Sequence, residues 1–137
     1  PAMQNIPLTH RGVSESFWVV TGTTRSGKLS RDLRLAAQSS ATIIILMGMK
    51  KLNEIIAVFT NLNKYNTPVA IVQNGSRPDE KLGLGTVSTI SEIAEAERLG
   101  APAIIIVGEV VRYAKSSELA RLINRNTNWL QLQNGTK

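Results

Sequence analysis

The chain of 137 residues is 42% hydrophobic and 19% charged, which suits one globular domain with its own core and excludes a disordered chain. It has no cysteine and one histidine, so disulfides, a thiolate nucleophile and a cysteine-ligated zinc are excluded, no metal is expected, and a reducing, cytoplasmic setting fits. The net charge of +6 is uneven, with seven basic and two acidic groups in residues 1–53, four and seven in 54–111, and five and one from Arg112 onward.

The chain opens Pro1-Ala2-Met3, without the basic start of a signal peptide and without an initiating Met, as a processed chain or a piece of a longer one would. Residues Ile6 to Gly12 are polar at the centre and framed by apolar residues and turn formers, which suits a loop entering a cleft. Phe17 to Thr21 reads as a strand stopped by Gly22. Phe17 and Trp18 point to opposite faces of it, so one of them leaves the core unless both faces are covered. After a polar loop, Asp32 to Gln38 reads as a short helix. Thr42 to Met47, an apolar run, is a strand covered on both faces. Leu52, Ile55, Ile56, Phe59 and Leu62 then recur at the spacing of one helical face.

Val69 to Val72 is a third strand, stopped by Asn74-Gly75, where the positive φ of the turn is assigned to the glycine. Lys81 to Val87, diluted by Gly83 and Gly85, is an edge or bulged strand. Thr89-Ile90-Ser91-Glu92 fits a capping box whose helix ends at Gly100. Ala103 to Val107 is a further strand, and Ser116 or Ser117 caps a last helix with Leu119, Leu122 and Ile123. Residues 126–137 read as a frayed polar tail. None of the apolar runs approaches the roughly 20 residues of a membrane helix. The predicted fold class is α/β: three layers, α/β/α, around a mixed, mostly parallel sheet of about five strands, in one domain over residues 1–125.

Gly22-Thr23-Thr24-Arg25-Ser26-Gly27-Lys28 follows a strand as a phosphate-binding loop does, but Leu29 stands where the magnesium-binding hydroxyl belongs. No candidate strand ends in a metal-binding Asp either, so a glycine-containing surface loop is the better account. Gly83-Leu84-Gly85 begins a dinucleotide fingerprint that Ser88 breaks. The two basic ends suit an anionic partner. Nucleic acid is a poor fit, since the two Trp, two Tyr and two Phe are not interleaved with basic runs. Met47-Gly48 and Asn74-Gly75 carry more weight, because ligands of open α/β sheets lie outside strand ends where glycine lets backbone approach closely.

Several segments, in order, resemble one family. Ile6-Pro7-Leu8-Thr9-His10-Arg11-Gly12 is similar to its IPLTHRG segment and Val20-Thr21-Gly22 to the VTG that follows. Leu46-Met47-Gly48-Met49-Lys50-Lys51-Leu52 resembles YMGLKNL, Pro68 to Pro78 resembles PVAIVENGTxP, and Pro102 to Val111 resembles PALIIVGEVV. These are segments of the C-terminal domain of the tetrapyrrole methylases, and within them of the uroporphyrinogen-III C-methyltransferases. Gln73 departs from the acidic residue common before Asn-Gly.

The resemblance implies an enzyme that transfers methyl groups from S-adenosyl-L-methionine to uroporphyrinogen III, giving precorrin-2 for siroheme and cobalamin. Met47 and Gly75 match cofactor-contacting positions, with Ala103 as a small residue against the adenine. Thr9, His10 and Arg11 match a loop facing the cleft, where cationic groups suit a polycarboxylate tetrapyrrole. The family's GPGDP and GGDP segments and its acid/base candidates belong to an N-terminal domain not in this sequence. The resemblance therefore implies no catalytic residue in this chain, one wall of an interdomain cleft, a fragment inactive alone, and a homodimer when complete. The alternatives are another precorrin methylase of the cobalamin pathway and a basic anion- or nucleic-acid-binding module.

Overall fold

A computed structural model describes residues 1–114; the helix expected around Leu119 and the tail over 126–137 lie outside the described residues. Five strands form one sheet: β1 (Phe17–Thr21), β2 (Thr42–Leu46), β3 (Pro68–Gln73), β4 (Lys81–Thr86) and β5 (Ala103–Val107). Three α-helices alternate with them: α1 (Arg31–Ala37), α2 (Leu52–Thr60) and α3 (Ile90–Ala96). Short 3-10 turns cover Ala2–Gln4, Met49–Lys51 and Glu109–Tyr113.

The sheet order is β1-β2-β5-β3-β4. Among the described residues only β1 and β2 pair in parallel; β2 with β5, β5 with β3, and β3 with β4 are antiparallel. A mixed sheet of five strands is therefore present, but it is not mostly parallel. The helical crossovers do join strands of like direction, as such connections require. The turn between β3 and β4 reverses the chain, and β5, running in the reversed sense, inserts between β2 and β3. Each of its two pairings is antiparallel as a result.

Alternation along the inner strands sorts their side chains onto two faces. Ile43, Ile45, Val69, Ile71, Ile105 and Val107 pack beneath Leu33 of α1, Ile55 and Phe59 of α2 and Ile90 of α3. Each such side chain, fully buried, contributes about 1.5–3 kcal/mol, so this is the main core. Ala70, Val72 and Ile106 face the other way, against Ile6 and against Val110, Val111 and Ala114 of the last 3-10 segment and its end. Among the described residues, then, all three α-helices lie on one face, and the opposite layer is a 3-10 turn plus the N-terminal segment.

Local expectations were met unevenly. β4 is indeed an edge strand, and Gly83 and Gly85 lie beneath α3, where a Cβ on Gly85 would come within 2.7 Å of Ile93 Cδ1. Trp18 packs against the main core while Phe17 remains 46% exposed. The capping box fails: Thr89 makes no side-chain bond to its helix, because its Oγ1 accepts the Thr86 N–H at 2.9 Å. The helix also stops at Ala96 rather than before Gly100. Arg98, with φ 53°, takes the left-handed position, and the Leu99 and Arg98 N–H groups close back on the Ala94 and Glu95 carbonyls, the Schellman pattern usually built on glycine.

Candidate functional site

The antiparallel insertion of β5 decides which residues meet. Its register sets Ile104 opposite Leu46 of β2 and Ala103 opposite Gln73 of β3. The carboxyl ends of β2 and β3 and the amino end of β5 consequently open at the same end of the sheet. Met47, Gly75 and Ala103 line one cleft there, of about 540 Å³, with Pro1, Met3 and Gln4 among its other walls. The three residues assigned to one site by resemblance are brought together.

Met47 leaves β2 with φ 53° and is 67% exposed. A residue with a Cβ is disfavoured in that conformation by about 1–2 kcal/mol, and an exposed thioether gains nothing from burial, so the surroundings must hold it. Thr23 does so, donating its hydroxyl to the Met47 carbonyl at 3.0 Å. One residue earlier, the Gly22 N–H donates to the Leu46 carbonyl at 2.7 Å. The exits of β1 and β2 touch backbone to backbone: a Cβ on Gly22 would lie 2.8 Å from Gly48 Cα.

The exit of β3 differs from expectation. Asn74 (φ 51°) and Ser76 (φ 66°) are left-handed, whereas Gly75 between them is not. Asn tolerates this conformation through its short polar side chain, and the Asn74 amide donates to Asp79 Oδ2 at 3.0 Å. The Asn74 N–H donates to the Pro102 carbonyl at 3.0 Å, which ties the β3 exit to the residue before Ala103. Ser76 donates its N–H to Glu80 Oε2 at 2.6 Å, and the Gln4 side-chain amide donates to the other Glu80 oxygen. Position 75 has room for a side chain without a clash: a Cβ there would make ordinary contacts with Val72 Cγ1 at 3.4 Å and Glu80 Oε2 at 3.8 Å. Gln73, the departure noted above, accepts the Gly100 N–H at 2.9 Å through its side-chain oxygen, a role a carboxylate also fills.

Thr9, His10 and Arg11 are exposed and lie outside this cleft. They form a tight turn in which the His10 and Ser14 backbones exchange hydrogen bonds of 2.8 and 2.9 Å. The His10 ring stacks on Tyr113 with centroids 4.4 Å apart. His10 and Tyr113 border a neighbouring, more apolar concavity that shares Pro1 with the first. Ser14 anchors the turn to the sheet, its Oγ accepting from both the backbone N–H and the hydroxyl of buried Thr42 at 3.1 Å.

The loop from Gly22 to Lys28 is spent on itself. Thr24 N–H donates to the Lys28 carbonyl and Gly27 N–H to the Thr24 carbonyl, so those donors do not cradle a phosphate. Among the described residues no three His, Cys, Asp or Glu side chains gather as a metal site, and no helix is long and apolar enough to cross a membrane.

Sequence reasoning missed Thr23, Gln4, Glu80 and Pro102. It also assigned the positive φ to Gly75 rather than Asn74, although Asn before Gly is itself a left-handed former. The missed residues act through partners distant in sequence or, like Glu80, through a loop whose conformation no periodicity encodes.

Against known proteins, residues 1–91 match the family model of the tetrapyrrole (corrin/porphyrin) methylases. The chain is 36% identical over 118 residues to a uroporphyrinogen-III C-methyltransferase of Methanocaldococcus jannaschii, covering 85% of this chain and 49% of that one. It is 38% identical over 117 residues to the Synechocystis enzyme of the same name, covering 82% and 44%. Among solved structures, the uroporphyrin-III C-methyltransferase of Thermus thermophilus complexed with S-adenosylhomocysteine superposes with a TM-score of 0.69 at 31% identity, over 80% of this chain and 49% of that chain. The chain thus spans about half the length of the curated relatives it matches. With the matching segments, the five-stranded sheet and the cleft at its end all in agreement, the chain belongs to the tetrapyrrole methylases.

Proposed function

We propose that this chain is the C-terminal half of an S-adenosyl-L-methionine-dependent methyltransferase that converts uroporphyrinogen III to precorrin-2. The observation that carries this reading is the convergence of Met47, Gly75 and Ala103 on one cleft in a chain of this family. The cleft suits the nucleoside end of the cofactor. Leu46, Met47, Ala103 and Ile104 offer apolar walls for a flat base, and the strand exits bring backbone polar groups to the rim. At Gly75 the absent side chain leaves room for a ligand to touch the main chain.

When bound, the cofactor supplies an electrophilic methyl group on a sulfonium sulfur. The residues of this half orient and enclose it rather than act as acid or base. Positioning of this kind accounts for much of the rate enhancement in a direct displacement. The Thr9-His10-Arg11 turn sits beside the cofactor cleft, where Arg11 and its neighbours suit the carboxylates of the tetrapyrrole. A preceding half completes the site. The exposed apolar edge at Phe17 and Val19, 46% and 54% exposed, supports association with a second copy in the complete protein.

The test is calorimetric titration of S-adenosylhomocysteine, together with a methylation assay on uroporphyrinogen III. Micromolar binding and turnover are expected when the chain is joined to the half that precedes it in its gene, and no turnover from the 137-residue chain alone. Enzyme-like turnover by the isolated chain, or no cofactor binding by the joined protein, refutes the reading.

A further inference from the structure

We infer that Glu80 is the positioning residue of the cofactor cleft, the group that holds the β3 exit in its ligand-ready shape. This rests on the reading that the cleft takes the nucleoside end of S-adenosylmethionine. Two of three consecutive residues at that exit, Asn74 and Ser76, are left-handed without being glycine. Asn74 takes this conformation readily by itself, but Ser76 does not, so a contact from outside must select the shape at Ser76.

Asn74 is held twice, by the Pro102 carbonyl and by Asp79. Ser76 is held by Glu80, whose Oε2 accepts its N–H at 2.6 Å. The other Glu80 oxygen accepts from the Gln4 side chain, so one carboxylate joins two walls of the cleft, the N-terminal segment and the β3 exit. Its own backbone is fixed by donation of the Glu80 N–H to the Arg77 carbonyl at 3.1 Å, immediately before β4 begins. Oε2 also lies 3.8 Å from where a Cβ on Gly75 would be. The carboxylate therefore borders the side of Gly75 that a side chain would occupy, at the edge of the cleft. A charged acceptor to a backbone N–H is among the stronger single hydrogen bonds available to a loop.

The experiment measures S-adenosylmethionine kinetics, S-adenosylhomocysteine affinity and thermal midpoint in the complete protein for Glu80→Ala and Glu80→Gln. Glu80→Ala is expected to raise the cofactor KM and Kd about tenfold, with kcat within about twofold and the midpoint nearly unchanged. Glu80→Gln is expected to restore near-normal values, because its amide oxygen takes the Ser76 N–H and its NH2 donates to a turned-over Gln4 amide. Normal cofactor affinity in Glu80→Ala, failure of Glu80→Gln to rescue, or an affinity loss that only tracks a fall in midpoint overturns the inference. Absence of cofactor binding in the unsubstituted protein is a separate failure, of the site reading itself, and takes this inference with it.

Discussion

Alanine at position 75 separates a glycine needed by the turn from a glycine needed by a ligand. Gly75 is not left-handed, so a Cβ there brings no backbone strain. The new methyl would touch Val72 Cγ1 at 3.4 Å and approach Glu80 Oε2 to 3.8 Å, both ordinary contact distances. The residue is exposed, so the fold should change in stability by no more than about 0.5 kcal/mol. The cleft should respond differently. A ligand atom resting on the glycine Cα sits about 3.5–4 Å away, and a methyl on a bond of about 1.5 Å pushes it outward or tilts it. Overpacking of this kind costs about 1–3 kcal/mol, which is roughly five- to 150-fold in Kd. Gly75→Val, with two further methyls, belongs at the upper end. Titration of S-adenosylhomocysteine into the complete protein, with urea unfolding in parallel, reads both quantities. Unchanged affinity in a stable Gly75→Ala variant would remove residue 75 from the cofactor wall. A stability loss well above 1 kcal/mol would return it to a purely structural role.

Other expectations concern the scaffold. Arg98→Gly relieves an exposed left-handed residue at the end of α3 and should stabilise the protein by about 1 kcal/mol, read as a rise in thermal midpoint; no rise would mean the Arg98 side chain compensates for its backbone. Ser14→Ala removes the acceptor of the buried Thr42 hydroxyl and should cost about 1–3 kcal/mol in urea unfolding, whereas a neutral result would show that the Thr9–Arg11 turn is anchored elsewhere. Lys64 donates to the carbonyl of Ala37, the last residue of α1, and to that of Ser39 just past it, so Lys64→Met should destabilise by about 1–2 kcal/mol, after some relief of the partly buried charge. Burial lowers the Lys64 pKa from 10.5, so between its folded value and 10.5 the unfolded chain holds more protons and this residue's own contribution makes stability rise with pH. The difference between wild type and Lys64→Met should therefore shift with pH in that alkaline window, and a flat difference would contradict the assignment.

The strands and helices were legible because each is short, punctuated and apolar on a regular period. Boundaries fell within a residue or two for β1, β2, β5 and α1. Sheet order was not legible, and the physical reason lies in β2 and β5. Runs such as Ile43-Ile44-Ile45 and Ile104-Ile105-Ile106 are apolar on both faces, so their pattern is the same whichever neighbour they take and in whichever direction. The helix between β2 and β3 fixes that these strands run alike, but not that they touch. That freedom is what lets β5 enter between them.

The unread sheet order also bears on the site. The rule that ligands lie at carboxyl ends of strands found Met47 and Asn74-Gly75, the exits of β2 and β3. It could not find Ala103, which reaches the same cleft only because β5 is reversed and presents its amino end; resemblance alone supplied that residue. The supporting groups were hidden for a related reason. Thr23 reaches Met47 across 24 residues and Gln4 reaches Glu80 across 76, far beyond any helical or strand period. Such pairs are set by which strand ends share an end of the sheet. Glu80 and Gln4 meet because the N-terminal segment packs through Ile6 beside β3 and β5, and that is a consequence of sheet order. A sequence reading that recovers every element but not the order of the sheet will name residues on the ligand side of a cleft and miss those that hold it in shape.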